Sequence, residues 1–219
     1  PHGVLSPIPP HQPPLFLMRH LVLHSFFRLF VIATCAALAP ALSAEDIYVA
    51  QTARGTGTGR DVANAHSVAF FNTASNWNSP TKITGKIGPG DIVHLVGTIT
   101  TALTVHASGV EGKAITILFD PGAKMTASYW SGAAIKVPRR DYITIDGGAT
   151  GTIGGPGGDN RLTNGLIECT DNGTIRRYQV NSSGVSGTEC NHFTVKNLVV
   201  SNMCVRTGGA EQKSYGAGK

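Results

Sequence analysis

Four side chains suited to acid–base chemistry lie in or beside short apolar segments, at His94, Asp146, Glu168 and Lys196. Two carboxyl groups about 6.5–9.5 Å apart can serve as the acid and the base of an inverting glycoside hydrolase, so Asp146 and Glu168 are a candidate catalytic pair. Lys196 is a candidate base for β-elimination next to a uronic acid, and His94 completes the set. Isolated charges on a solvated surface give the same pattern, so both interpretations stay open.

Short β-strands are needed to position these four residues. Five segments alternate apolar and polar residues with a period of two, which indicates strands with one face inward: 91–95, 114–118, 142–146, 166–169 and 192–196. The repeat is measured by aligning one central residue of each segment, namely Val93, Ile115, Ile143, Ile167 and Phe193. The steps are 22, 28, 24 and 26 residues, with a mean of 25. A repeat of this length predicts a solenoid, because one unit cannot bury its apolar side alone.

The aligned strands predict an inward column and two outward columns. The inward residues are expected to stack at about 4.8 Å from coil to coil, and they are Val93, Leu95, Ile115, Ile117, Ile143, Ile145, Ile167, Cys169, Phe193 and Val195. One outward column holds His94 and Glu168, and the next holds Asp146 and Lys196. In this register Asp146 and Glu168 are one coil and two residues apart, so their stems are expected about 8 Å from each other.

Several turns and strands resemble a known family. The run 87–95, in which Pro89-Gly90-Asp91 leads into a strand, looks like the first coil of secreted bacterial proteins of the pectin lyase-like superfamily. Segments 142–148 and 193–198 are similar to later coils of that group, with Asn197 at a turn where such proteins stack amides. The resemblance covers about residues 45–202 and implies an all-β, right-handed parallel β-helix. Its N-terminal capping segment is expected at 61–77, with Asp61 as a helix N-cap.

The resemblance also implies a function. Members of this superfamily hold polysaccharide in a groove on an outward face, so we expect a protein that binds acidic glycans or cleaves them as a polysaccharide lyase or a glycoside hydrolase. The motifs of the hydrolase and lyase branches are not found in the sequence. A non-catalytic extracellular adhesin or glycan-binding module is therefore the alternative. No metal site or cofactor can be named from the sequence, and calcium is the candidate only if the protein is a lyase.

The ends of the sequence divide it into four segments. Residues 1–17 precede the first methionine and are interpreted as an upstream or artefactual segment. Residues 18–43 combine a basic start, a short apolar run and small residues, as in a secretory signal peptide cleaved after Ser43 or Ala44. Residues 44–90 are assigned to the N-terminal cap and the lead-in to the first strand. Residues 91–219 are assigned to β-helix coils, and we expect the natural chain to continue beyond them.

Charge and cysteine content narrow the classes of partner. The chain carries 18 basic and 13 acidic side chains, and removal of the signal would leave 16 basic ones. This small excess, without a basic run, argues against nucleic-acid binding. The apolar run of the signal is shorter than the roughly 20 residues of a membrane helix, so no membrane contact is expected after cleavage. Three cysteines would remain, Cys169, Cys190 and Cys204, which allow at most one internal disulfide. We expect a secreted monomer with polysaccharide as its partner.

Overall fold

The computed structural model describes residues 43–148, 165–171 and 182–203, together with Gly3. All elements described below lie in one compact unit that starts at Leu42. The upstream segment and the signal peptide therefore lie outside the described residues, apart from Gly3 and Ser43. The described part is nearly all β, with little helix: α1 (Val68–Phe71) and two turns of 3-10 helix, Val62–Asn64 and Ala74–Asn76.

The strands form three sheets in which neighbouring strands are parallel. Sheet A has the order β12-β9-β6-β3-β1-β2, with β1 (Asp46–Ala50), β2 (His66–Ser67), β3 (Ile92–Val96), β6 (Ile115–Phe119), β9 (Ile143–Asp146) and β12 (Phe193–Lys196). Sheet B has the order β13-β10-β7-β4, with β4 (Thr98–Ile99), β7 (Lys124–Ala127), β10 (Leu166–Cys169) and β13 (Val199–Ser201). Sheet C has the order β11-β8-β5, with β5 (Leu103–Thr104), β8 (Gly132–Pro138) and β11 (Ser182–Thr188).

The chain visits the three sheets in turn. Strands β3, β4 and β5 lie in sheets A, B and C, and β6 to β8 and then β9 to β11 repeat this order one strand further along each sheet. From β3 onward, neighbouring strands of one sheet are thus separated in sequence by a crossover through the other two sheets. Parallel pairing requires such a crossover. This arrangement is solenoid-like and compatible with a β-helix. The prediction of an all-β chain built from parallel strands is confirmed.

One core lies along the inward faces of the sheets. Its residues stack across neighbouring strands and are buried, among them Ile47, Val93, Ile117 and Ile145 in sheet A, Met125 and Ile167 in sheet B, and Leu103 and Ile135 in sheet C. Each such side chain contributes about 1.5–3 kcal/mol through removal of apolar surface from water. Eight of the ten predicted inward residues are buried. The other two, Phe193 and Val195, lie on β12, the edge strand of sheet A in the described part of the chain, and Val195 is 46% exposed.

The register between β3 and β6 differs from the prediction by two residues, whereas Ile143 is aligned with Ile115 and with Phe193 as predicted. Val93 pairs with Ile117 rather than with Ile115, and Ile145 lies between Ile117 and Val195. The predicted alignment of Val93 with Ile115 is therefore wrong, although the faces are right. A slip of one residue would exchange the two faces, whereas a slip of two preserves them. Alternation of apolar and polar residues alone does not distinguish such registers.

The strand that contains Glu168 lies in a different sheet from the one predicted. β10 pairs with β7 and β13 in sheet B, and β9 and β12 are direct neighbours in sheet A. Placing Ile167 between Ile143 and Phe193 was therefore wrong. From Asp146 to its partner Lys196 the coil is 50 residues long, whereas Ile117 and Ile145 are 28 residues apart. The two predicted steps of 24 and 26 residues are parts of one long coil.

The N-terminal segment contains two strands that the sequence prediction missed, β1 and β2. β1 pairs with β3 along its whole length, so sheet A begins before the Pro-Gly-Asp turn. Asp61 does act as an N-cap: its Oδ1 accepts a hydrogen bond from the backbone N–H of Asn64 at 2.8 Å. Phe71 and Trp77 pack edge to face in the core, with 4.8 Å between ring centroids. Their role as a cap over the end of the core stays a prediction.

Candidate functional site

Three of the four candidate residues share one row on the outward face of sheet A. The residues of this row are direct partners on successive strands: Tyr48, His94, Leu118, Asp146 and Lys196. We call this set the His94 row. A parallel outward row consists of Asp46, Ile92, Thr116, Thr144 and Thr194. The prediction placed His94 in a different column from Asp146 and Lys196, and the two-residue register shift corrects this.

His94 lies between two carboxylates. Its Nδ1 is 2.6 Å from Oδ1 of Asp120, and its Nε2 is 3.2 Å from Oδ1 of Asp46. The ring also stacks on Tyr48, with 4.4 Å between centroids and 15° between planes. Because a carboxylate only accepts, each contact is a hydrogen bond only when the ring nitrogen carries a proton, and the shorter contact places a proton on Nδ1. The carboxylate of Asp120 thus orients the imidazole, as the carboxylate partner does in catalytic histidine dyads.

Tyr48 shares the acidic surroundings of His94. Burial raises the pKa of its hydroxyl, and the nearby carboxylates of Asp120, Asp46 and Asp61 raise it further. The phenol therefore stays protonated over the whole neutral range and can donate a hydrogen bond. Its ring also covers one face of the imidazole, which restricts the orientation of His94.

Asp146 and Lys196 form an ion pair at the end of the His94 row. Oδ2 of Asp146 is 3.0 Å from Nζ of Lys196, while Oδ1 accepts hydrogen bonds from the Asn197 amide and the Gly148 N–H, both at 2.9 Å. Partial burial acts to raise the pKa of Asp146, but these donors and Lys196 together hold that pKa below its ordinary value. Asp146 is consequently a carboxylate at neutral pH and has no proton to give as a general acid.

Glu168 does not join the other three residues. It lies on β10 in sheet B, where its backbone partners are Thr126 and Ser201. Its carboxylate Oε1 is 3.9 Å from Nζ of Lys124. The expected spacing of about 8 Å between Asp146 and Glu168 assumed neighbouring strands of one sheet. That assumption was wrong, so the structure gives no support to this pair as the acid and base of an inverting hydrolase.

Sequence reasoning missed three residues around His94, namely Tyr48, Asp46 and Asp120. Asp120 directly follows β6, two positions after Leu118, so continuing the alternation past Phe119 would have placed it on the outward face. Tyr48 and Asp46 lie on β1, which was assigned to the cap. The pattern Asp46-Ile47-Tyr48-Val49 alternates in the same way as the predicted strands and was a usable signal.

In the part of the chain that the structure describes, no helix is long and apolar enough to cross a membrane. Within the same ranges, no three His, Cys, Asp or Glu side chains come together as a metal site would require. Cys169 and Cys190 are free thiols, and Cys204 lies outside the described residues.

Comparison with models of protein families, with curated proteins and with solved structures finds no match to this chain.

Proposed function

We propose that this chain forms coils of a right-handed parallel β-helix of the pectin lyase-like type, is exported, and binds polysaccharide along the His94 row. The regular visits to three parallel sheets support the β-helix, and parallel crossovers are right-handed in nearly all proteins. The turns that resemble the pectin lyase-like superfamily support the family and the ligand class. The signal-peptide pattern in the sequence of residues 18–43 supports export.

The observation that carries the binding proposal is the continuity of the His94 row. It crosses five neighbouring strands of sheet A, and each strand adds one side chain about 4.8 Å from the last. An extended polymer that lies along this row meets an aromatic ring, an imidazole, an apolar side chain and an ion pair in succession. Aromatic faces and paired polar groups suit the two surfaces of a sugar, one apolar and one rich in hydroxyls.

The binding proposal is tested with a matched pair of leucine substitutions. Leu118 lies in the middle of the His94 row, and Leu166 occupies an outward position on sheet B with similar partial burial. Leu118→Glu places a new carboxylate in the path of the polymer, so we expect affinity for the bound polysaccharide to fall about tenfold. Leu166→Glu should change it less than about twofold. Equal effects of the two substitutions on affinity, measured by affinity electrophoresis, would refute the proposed face.

A second candidate function, cleavage of the bound polysaccharide, rests on the contact of 2.6 Å between His94 and Asp120. In that case His94 is the general base, since Asp146 and Lys196 neutralise each other and Glu168 lies in another sheet. His94→Gln should then reduce product formation about 10²–10⁴-fold with little change in binding. Formation of reducing ends would indicate hydrolysis, and ultraviolet-absorbing unsaturated ends would indicate elimination. Binding without either product would identify the non-catalytic glycan-binding alternative.

A further inference from the structure

The first strand of sheet C, β5, has a neighbouring strand on one edge only in the described part of the chain. On the paired edge, Thr104 lies opposite Lys136 of β8, and the Val105 N–H donates to the Lys136 C=O at 2.9 Å. The Thr104 N–H and the Ala102 C=O belong to the other edge, and neither of them bonds to β8. A strand edge with free backbone groups is a template for pairing with another chain.

The side-chain amide of Asn72 occupies this second edge. Its Nδ2 donates to the Ala102 C=O and its Oδ1 accepts from the Thr104 N–H, both at 2.9 Å. Backbone groups of paired strands in sheet B follow the same pattern: a residue donates to the C=O before its partner and accepts from the N–H after it. Asn72 therefore takes the place of a strand residue opposite Leu103.

Asn72 is held in this position by its own backbone. It follows α1, in which Val68 and Phe71 are buried in the core. Its N–H donates to the Val68 C=O at 3.0 Å, and its C=O accepts from Nε2 of His106, also at 3.0 Å. The amide is thus attached to a packed helix, and it cannot rotate away from β5 without losing two hydrogen bonds.

A second side-chain amide lies at the corresponding edge of sheet B. The N–H of Thr100, directly after β4, donates to Oε1 of Gln51 at 2.7 Å, and Nε2 of Gln51 donates to Oγ1 of Thr101 at 2.9 Å. Gln51 thus bonds to one backbone group of the edge, whereas Asn72 bonds to a donor and an acceptor. Asn72 is therefore the more complete substitute for a strand.

We infer that Asn72 prevents a second copy of this chain from adding a strand at β5. Without the amide, each copy presents the same free edge, and two identical edges can pair antiparallel about a two-fold axis. Leu103 is completely buried between these edge groups, so an added strand would extend sheet C next to the apolar core. This role concerns self-association and is independent of polysaccharide binding.

The test is analytical ultracentrifugation of the full chain over a range of protein concentrations. Asn72→Leu keeps the approximate size of the side chain and removes both hydrogen bonds to β5. We expect this variant to self-associate at a concentration about tenfold lower than the unmodified protein does. Asn76→Leu is the matched control, because the half-buried Asn76 amide donates to the Phe70 C=O at 2.9 Å and not to a strand edge. Its association should equal that of the unmodified protein.

A double variant identifies the edge that pairs. Thr104→Pro removes the edge N–H but leaves the Val105 N–H bonded to β8, and proline is tolerated at such edge positions. Added to Asn72→Leu, it should return association to the level of the unmodified protein. Association of Asn72→Leu that is no stronger than that of the unmodified protein, or that persists with Thr104→Pro, would overturn the inference.

Hydrogen exchange of the unmodified protein gives a test that does not depend on whether a variant folds. The Thr104 amide donates to Asn72, so we expect it to be protected to a degree similar to the Val105 amide, which donates to β8. Exchange of the Thr104 amide at the rate of an unstructured peptide, with Val105 protected, would show that the edge is open and that Asn72 does not block it.

Discussion

Lys82 is a nearly buried lysine whose ammonium is shared by two acidic residues. Its side chain is 5% exposed, and Nζ lies 2.6 Å from Glu45 and 3.1 Å from Asp91, whose side chain is completely buried. The Asp91 carboxylate also accepts hydrogen bonds from the backbone N–H groups of Glu45 and Gly88. Burial raises the pKa of Asp91 despite these donors and Lys82. The cluster joins the start of β1 to the turn before β3.

We therefore expect Lys82→Met to be strongly destabilising. The substitution leaves the Asp91 carboxylate buried without its cation, and loss of one partner of a buried ion pair costs about 3–5 kcal/mol. Lys113→Met, at an exposed lysine without an ion pair in the described structure, should change the free energy of unfolding by less than about 0.5 kcal/mol. Denaturant unfolding of the three proteins at pH 7 measures both values. Similar stabilities for the two variants would contradict this role of Lys82.

Asp146 should make stability depend on pH. Because its pKa is lower in the folded state than in the unfolded chain, its stabilising effect is present above the ordinary aspartate pKa and is lost as pH falls through the folded value. Asp146→Asn should cost about 1–2 kcal/mol at pH 7, because hydrogen bonds to a charged group are lost.

The measurement is denaturant unfolding at neutral and at acidic pH. The difference in free energy of unfolding between the unmodified protein and Asp146→Asn should shrink at acidic pH. There, Asp146 is protonated in both the folded and the unfolded state of the unmodified protein. Glu111→Gln, at an exposed carboxylate, serves as the control and should show no such change. If Asp146→Asn lowers the free energy of unfolding by the same amount at both pH values, the charge of Asp146 does not stabilise the fold.

At the scale of the strand, the same substitution at neighbouring residues of β9 should cause very different losses of stability. Ile145 is completely buried between Ile117 and Val195, whereas Thr144 points outward beside Thr116. Ile145→Asp buries a carboxylate with no cation in reach and should cost several kcal/mol. Thr144→Asp should cost under about 1 kcal/mol. Denaturant melts in which Thr144→Asp is the more damaging change would mean that the faces of β9 are inverted.

Strand faces could be read from the sequence, but strand neighbours could not. Alternation identifies which side chain points inward, and Ile143, Ile145 and Ile167 are buried as predicted. The register depends on turn geometry and on packing between coils, and it is invisible to a pattern with a period of two. In the described residues, the coils that begin with β3, β6 and β9 each contain three strands in three sheets. A list of similar strands therefore does not reveal which of them pair. For this reason the prediction placed Glu168 in the wrong sheet. It correctly placed Asp146 and Lys196 in one outward column.

For the whole molecule, export is the property most directly open to experiment. If residues 18–43 are a signal peptide, the secreted protein should begin at Ala44 or Glu45. Sequencing of the N-terminus of the exported product measures this start. A product that begins before Ala33 would contradict the assignment. The same product, isolated from the medium, is the form in which glycan binding is best measured.

The 50-residue coil shows that the stacking of strands tolerates a large difference in the length of the connections. Four residues connect β6 to β7, whereas nineteen connect β9 to β10 at the corresponding corner, yet Leu166 still pairs with Lys124. Insertions at this corner therefore leave the stacked rows intact. A foreign peptide inserted between Gly148 and Gly165 is therefore expected to leave Leu166 paired with Lys124.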